Sequence, residues 1–475
     1  MDSATTIVFV RHDRLWQARF DRTGMLSDPM PIGNDAALYL SSSRDGSLLF
    51  VSDGGLLLRT ADGREQRVGW PVSYTPPVAE RTLIRNVRII DGTGSPITTA
   101  RDILIERGRI EQIAPAGSLS TVGVKVIDGG GPVVMPGLMD LHAHTDWPWL
   151  LPGFVYFGVT TVRDQGSSMA RLVAYADAIA AGVFPGPRIG YGGFQFYSDW
   201  PFDQEQWRGI EPEADADHIK RSVALAQAFG AQHIKTRTFR RWDINARMIL
   251  EAHRRGMRAT GHCSHLLPLI AAGMDAKEHI GLCEERGNTY MYDDMVQLFR
   301  AAHIGVVPTI EYLDLAVRVS ERPAVLEDDV ELKPFLPARE SFEWMINLNA
   351  AARKEFAEGA QHSREGAIKL LRAGVTIGTG TDIWQIPTGV HMELEQLVAA
   401  GLTPLQAIHA GTGGAAQILG AEKELGTIAV GKWADLVFLD ADPLSDIRNT
   451  RRIWNVMHNG HLIDRPAIVK TIKPR

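Results

Sequence analysis

The residues with the clearest chemical potential are two histidines one residue apart, in Pro136-Gly-Leu-Met-Asp-Leu-His142-Ala-His144. Side chains two apart on a β-strand point to the same face. His142 and His144 therefore present two imidazoles side by side at the end of an apolar strand. Imidazole is a good ligand for zinc and neighbouring transition metals. A solitary histidine is more often a hydrogen-bonded structural residue, but a pair at this spacing after Pro-Gly points to a metal site. Compatible side chains recur at the ends of other apolar runs: His262 in Ala259-Thr-Gly-His262, His279 in Lys277-Glu-His279 and Asp382 in Gly378-Thr-Gly-Thr-Asp382. Each has an ordinary explanation, because a histidine can cap a loop and an aspartate can cap a helix. Chance does not readily place all five at strand ends. Lys235, in Gln232-His-Ile-Lys235-Thr, closes a further run. Its ordinary reading is a packed stem with the ammonium reaching water. An ammonium cannot bind a metal, but a lysine amine that has added carbon dioxide is a carbamate, which can bridge two cations as a carboxylate does.

Ligands so far apart in sequence need a frame that gathers strand ends. From residue 133 onward, short apolar runs alternate with helical stretches, the signature of βα units around a parallel sheet. Candidate strands are Val133–His144, Val159–Asp164, Arg188–Gly192, His233–Thr236, Met257–His262, Ala276–Ile280, Ile304–Thr309 and Val375–Asp382, with helices such as Met169–Ala181, Ala216–Ala228 and Ile244–Arg255 between them. The pattern predicts an α/β fold, a (β/α)8 barrel over 136–421, in which functional groups sit at the C-terminal ends of strands. Strand-rich flanks at 83–135 and 422–468 are expected to form one small β-sandwich from both sides of the barrel. Residues 1–77 read as short strands separated by Arg44-Asp45-Gly46, Asp53-Gly54-Gly55 and Asp62-Gly63 turns, ending near Pro76-Pro77. That pattern fits one or two propeller blades, and a propeller normally needs several. The segment is therefore expected to pack on the main domain as a remnant or to end a longer propeller, and a homo-oligomer would give it a partner surface.

The 475 residues are 45% hydrophobic and 22% charged, ordinary values for a globular protein too long for one small core. The net charge of -6 and the lack of a basic tract argue against nucleic acid or an anionic membrane as partner. No apolar run is long enough to span a membrane. Two cysteines, Cys263 and Cys283, make no disulfide framework and are read as free thiols. The polar start, Met1–Thr5, lacks the basic and apolar regions of a signal peptide. The chain as it stands is expected in the cytoplasm, and in the periplasm or outside the cell if a segment precedes it.

His142, His144, Lys235, His262, His279 and Asp382, in this order on a barrel flanked by a split sandwich, resemble the amidohydrolase superfamily. Gly158-Val-Thr-Thr-Val-Arg-Asp164 and the run from His391-Met-Glu-Leu-Glu to Ile408 resemble its imidazolonepropionase-like branch. His233-Ile-Lys-Thr-Arg-Thr-Phe-Arg-Arg-Trp-Asp243, with the blade-like start, is most similar to members fused to a TolB-like propeller. The resemblance covers 83–468 and, weakly, 1–75. It implies two divalent metal ions, zinc first among them. His142, His144, carboxylated Lys235 and Asp382 would hold one; Lys235, His262 and His279 would hold the other; a hydroxide would bridge them. Asp382 would move the proton of that water. Asp140, on the strand face of His142, would support the ligands from behind. The implied reaction is hydrolysis of an amide or peptide-type C–N bond in a small molecule, an N-acyl amino acid or dipeptide. Two stretches depart from peptidase-like relatives. Thr236-Arg237-Thr238-Phe239-Arg240-Arg241 replaces small residues, and Cys263-Ser264-His265 follows His262 where His-Ala-Tyr or His-Ala-His is expected. The alternatives are a mononuclear deaminase or cyclic-amide hydrolase, which needs no carbamate, and a non-catalytic scaffold, which the complete ligand set disfavours.

Other residues suit a substrate pocket. Arg237, with Arg240 and Arg241, could bind a substrate carboxylate or form surface ion pairs. Tyr191, Phe194, Phe196, Tyr197 and Trp200 could wall an apolar pocket or pack a loop, as could Trp147 and Trp149. His265 is a helix-start residue that could touch substrate, His391 could orient the Asp382 loop, and Arg163 with Asp164 reads as a structural pair.

Overall fold

The computed structural model describes residues 5–472 apart from 12, 21–22, 24, 26, 34–36, 53, 70–73, 76, 129–132, 193–194, 198–206, 210–215, 238–241, 263–265, 281–289 and 384–385. At the N-terminus, strands Thr5–Arg11, Arg14–Phe20 and Met30–Pro31 form one antiparallel sheet. Leu38–Ser42, Leu48–Ser52, Gly55–Arg59 and Glu65–Val68 follow as a four-stranded meander, the strand number of one propeller blade. The two sheets bury Leu15, Ala37, Leu48 and Phe50 between them. They dock on helix Ala216–Ala228, where Ser222 Oγ donates to the buried Asp13 carboxylate at 2.5 Å. Gly54 fits against the end of that helix so closely that a Cβ would lie 2.3 Å from the Ala228 carbonyl oxygen.

Two distant stretches of sequence meet in one eight-stranded sheet. Thr82–Ile89, Arg101–Glu106, Arg109–Pro115, Lys125–Asp128 and Val133–Pro136 come from one stretch; Leu436–Leu439, Ile453–His458 and His461–Leu462 come from the other. Val133–Pro136 is the seam, parallel to Thr82–Ile89 and antiparallel to Leu436–Leu439. Ile84, Ile103, Val134 and Phe438 are among the side chains that bury this sheet's apolar face.

The run Val133–His144 is not one strand, as its unbroken apolar character suggests, but two. Val133–Pro136 belongs to the composite sheet, and Leu138–Ala143 opens the parallel set. The chain crosses between them at Gly137, where a Cβ would fall 2.0 Å from Thr160 Oγ1. Leu138–Ala143, Val159–Asp164 and Arg188–Tyr191 pair in parallel, as do His233–Thr236, Arg258–Gly261, Ala276–Glu278 and Gly305–Val307. Gln232 N donates to Tyr191 O at 3.1 Å between the two groups. The segment 375–382 is irregular, with only an isolated bridge from Ile377 to Val306. It still donates and accepts on both sides: Gly378 N reaches Val306 O at 2.9 Å, Leu141 N reaches Thr379 O at 2.9 Å, and Asp382 N reaches His142 O at 2.8 Å. Gly-Thr-Gly-Thr has little strand propensity. Here Gly380 is required by proximity, since a Cβ would lie 2.3 Å from Val307 Cγ1 and 2.8 Å from His142 Cβ.

Helices Met169–Ala180, Ala216–Ala228 and Trp242–Arg254 alternate with these strands. Ile219 with Val223, and Ile244 with Met248 and Ala252, bury one face of each of the latter two at helical spacing. Between Gly305–Val307 and Val375 the chain inserts a helical segment, bounded by Ile310–Glu321 and the long helix Ala350–Arg372, which the strand-and-helix reading of the sequence does not delimit. Among the described residues no helix is long and apolar enough to cross a membrane. Because the crossing at Gly137 has no room for a side chain, Gly137→Ala is expected to destabilise the fold by about 1–3 kcal/mol, read as a lowered urea midpoint at unchanged slope. An unchanged midpoint would show that the crossing is slack.

Candidate metal centre

Six side chains converge where the parallel strands end. His142 Nε2 lies 3.5 Å from Asp382 Oδ1, and His144 Nε2 lies 3.1 Å from the same oxygen. These three present ligand atoms within 4.8 Å of one another. His279 Nε2 faces the other Asp382 oxygen at 3.8 Å. The His279 ring centroid is 4.6 Å from that of His142 on one side and 4.6 Å from that of His262 on the other. Lys235 Nζ completes the group, 3.5 Å from His142 Nε2. All are buried except Asp382, which keeps an edge open to solvent.

Two of the imidazoles are held in one orientation from behind. His142 Nδ1 donates to Glu278 Oε2 at 2.9 Å, which leaves the Nε2 lone pair facing Lys235 and Asp382. Glu278 is itself held by Arg163, whose Nη2 donates to Oε1 at 2.5 Å while its Nε donates to Leu141 O at 2.7 Å. His279 Nδ1 bonds Thr309 Oγ1 at 2.7 Å, leaving a buried Nε2 that has no hydrogen-bond partner among the described residues. A buried imidazole nitrogen with nothing to bond, aimed at a carboxylate and flanked by two more imidazoles, fits a cation. Asp140 accepts from His142 N at 3.0 Å and from Thr381 N and Oγ1 at 3.1 and 2.8 Å, tying the first strand to the loop that carries Asp382.

The electrostatics favour the protonation states that metal binding needs. Burial, reinforced by Lys235, pulls His142 down to about 4. Burial, with neighbouring cationic groups, also holds His262 and His279 well below their ordinary value. All three imidazoles are neutral at neutral pH. Burial opposes ionisation of Asp382, but the imidazoles of His142, His144 and His279 outweigh it and hold the carboxyl below the usual range. The same opposition is settled for Glu278 chiefly by Arg163. Burial pulls the Lys235 amine down to about 7.

The backbone is strained at the centre. His279, Thr309 and Asp382 have φ of 63°, 51° and 52°, the left-handed region, and none is glycine. Such residues cost on the order of 1–3 kcal/mol each and persist where their surroundings dictate them. Each stands where the chain leaves the parallel set beside the ligand cluster.

The model for the amidohydrolase family matches residues 133–463. The chain belongs to this family. It is 24% identical to a 5-methylthioadenosine/S-adenosylhomocysteine deaminase of Moorella thermoacetica, over 76% of this chain and 86% of that protein. It is 26% identical to a dihydroorotase of Pelotomaculum thermopropionicum, over 81% of this chain and 95% of that protein. Among solved structures, a Xaa-Pro dipeptidase with bound methionine superposes with a TM-score of 0.65 at 22% identity, covering 81% of this chain and 99% of its own. The amidohydrolase is therefore an enzyme that hydrolyses a C–N bond, its α/β part has a TIM-barrel fold, and the His142–His144–Asp382 cluster suits the divalent metal ions the family uses.

The remaining sequence candidates divide. Arg237 is half-buried just past Lys235, and its positive charge acts on His262 and Lys235. Tyr197 lies in strand Gln195–Tyr197, beside His233–Thr236, and its side chain is outside the described residues. His265, Cys263, Arg240, Arg241, Phe194 and Trp200 also lie outside them. His391 does not orient the Asp382 loop: its ring bonds Phe157 O at 2.8 Å and Thr450 Oγ1 at 2.9 Å, which pins helix Gly389–Ala399 elsewhere. Arg163 and Asp164 are not a pair. Neighbours on a strand face opposite ways, so Arg163 meets Glu278, while Asp164 accepts from Thr145 N at 2.7 Å and steadies the residue after His144. Glu278 and Thr309 were missed. No local signal marks Glu278: it follows Lys277, and Arg163 precedes Asp164, so each has an oppositely charged neighbour in sequence and neither looks short of a counter-charge.

Replacing Glu278 by Gln keeps the shape but leaves Arg163 as an uncompensated buried charge. The variant is expected to lose about 10–100-fold in metal affinity, read by chelator competition, and about 3–5 kcal/mol of stability. Wild-type affinity would remove Glu278 from the support of the centre.

Proposed function

We propose that this amidohydrolase cleaves an amide or peptide-type C–N bond of a small N-acyl amino acid or dipeptide-like molecule at a centre of two divalent ions, zinc by preference. The observation that carries this reading is Lys235. It is fully buried, its amine is drawn to about 7, and it lies 3.5 Å from a histidine nitrogen that faces it with a lone pair. A buried ammonium is poorly placed there, whereas a carbamate would supply an anionic bridge. In this reading His142, His144, Lys235 and Asp382 hold one ion, and Lys235, His262 and His279 the other.

When bound, the metal pair brings the pKa of water toward neutrality and polarises the scissile carbonyl. The chain's own residues do the rest. Glu278 and Thr309 fix the two imidazoles, and Asp382, the one ligand open to the mouth, takes a proton from the attacking water and delivers it to the leaving nitrogen. The same reading closes the eight parallel segments into a full barrel at 136–421, takes 83–135 with 422–468 as a sandwich, and takes 1–77 as a propeller remnant docked on helix Ala216–Ala228.

Metal analysis of the purified enzyme is expected to give about two ions per chain, with chelator-sensitive hydrolysis of N-acyl amino acids or dipeptides. Asp382→Asn should lower turnover by about 10²–10⁴-fold. One ion per chain and deamination in place of amide cleavage would favour the mononuclear reading. The carbamate has its own pH signature. Below about 7 the amine is protonated and cannot add carbon dioxide; above it the neutral amine can. Metal uptake by the apoenzyme should therefore depend on bicarbonate and rise as pH passes 7, with a carbamate carbon visible by NMR after labelling. Uptake indifferent to bicarbonate at every pH would leave Lys235 an ordinary amine.

A further inference from the structure

The helical insertion after Gly305–Val307 places three aromatic rings together. Tyr312 stacks on Trp344 at 5.6 Å with an interplanar angle of 25° and on Phe356 at 6.3 Å and 30°; Trp344 and Phe356 are 6.2 Å apart. Trp344 is 43% exposed, large for an indole that has two aromatic neighbours to bury it. The group is close to the metal centre by construction. Tyr312 lies in the first turn of helix Ile310–Glu321, three residues after Thr309, whose hydroxyl bonds His279. Only three residues of chain separate the ring from that anchored hydroxyl, which keeps Tyr312 near the strand end that presents His279. Ionisation of the Tyr312 phenol is opposed by burial and by the Asp382 charge, while Arg237 acts the other way.

The platform is rigidly mounted. The buried carboxyl of Glu393 accepts from Ile310 N at 3.1 Å and Glu311 N at 2.8 Å, fixing the start of the helix that carries Tyr312. Arg364, on the helix that carries Phe356, donates to Asp314 at 2.5 Å and to Gln396 at 2.9 Å. Both helices are thereby tied to Gly389–Ala399. Arg237 approaches the same centre from strand His233–Thr236, a separate element, as a half-buried guanidinium. The aromatic group and the guanidinium thus reach the same centre: Arg237 acts on Lys235, His262 and Tyr312, and the Asp382 charge acts on Tyr312. Aromatic faces stack on flat rings, and a guanidinium binds carboxylate through paired hydrogen bonds.

We propose that Tyr312, Trp344 and Phe356 form an aromatic platform that, with Arg237, selects amides bearing both an aromatic group and a free carboxylate, such as N-aroyl amino acids. This rests on the reading of the centre as an amide hydrolase. Stacking on the platform orients the scissile carbonyl toward the ligand cluster, and Arg237 fixes the opposite end of the molecule.

The test compares the N-benzoyl and N-acetyl derivatives of the same amino acids in the wild-type enzyme and in Trp344→Ala and Trp344→Phe. The benzoyl-to-acetyl ratio of kcat/KM should fall about ten-fold in Trp344→Ala, equivalent to about 1.4 kcal/mol, and recover in Trp344→Phe with metal content unchanged. Arg237→Gln should erase the preference for an N-benzoyl amino acid over its carboxamide. An unchanged ratio in Trp344→Ala would overturn the platform. Calorimetric binding of N-benzoylglycine separates the two layers. Binding weakened by Trp344→Ala, without turnover of any amide, would support the platform and sink the hydrolase reading. No binding to the metal-loaded wild type would sink the platform itself.

Discussion

Glu278 holds the architecture of the centre together. Its carboxylate is wholly buried between the Arg163 guanidinium and the His142 imidazole, and so joins three parallel strands at the level where the ligands emerge. A buried carboxylate is tolerable only with its charge balanced and its lone pairs used. Arg163 supplies the charge, and the requirement that His142 donate through Nδ1 follows from it. That single constraint turns His142 Nε2 toward Asp382 and makes the ring available as a ligand. It also anchors Arg163 across to Leu141 O, beside the strand end it serves.

The same logic extends outward through the strained residues. His279 leaves its strand, and Asp382 ends the irregular segment 375–382, in left-handed conformations, and Thr309 takes one where the helical insertion begins. These conformations are sustained by contacts on both sides: Thr309 by its bond to His279 and the helix that Glu393 anchors, and Asp382 by its amide bond to His142 O. Strain near a centre is maintained by the stiffness of the surrounding sheet and helices, and here that stiffness comes from strands that also carry the ligands. The insertion Ile310–Arg372 thus has two tasks. It locks the residue that orients His279, and it gathers Tyr312, Trp344 and Phe356 into one aromatic group.

Glycine decides where the layers meet. Gly137 lets one run of apolar sequence serve two sheets, and Gly380 lets the irregular segment 375–382 pass against Val307 and His142. Without these close approaches, neither the composite sheet nor the ligand pair of the first strand could sit where it does relative to Asp382.

By itself the sequence determined the alternation of strands and helices, the spacing of His142 and His144, and the appearance of His262, His279, Lys235 and Asp382 at the ends of apolar runs. Those features follow from local periodicity and residue chemistry, which are written in neighbouring positions. The helix Ala216–Ala228 has the bounds that periodicity gives it. Tertiary structure alone decided what lies more than one element away. It broke Val133–His144 at Gly137, separated Arg163 from Asp164, sent His391 to Phe157, and brought Glu278 and Thr309 behind two imidazoles. It also set Tyr312 against Trp344 and Phe356. A buried charge and a strained turn are each specified by partners far away in the chain, and no local pattern records which partner that will be.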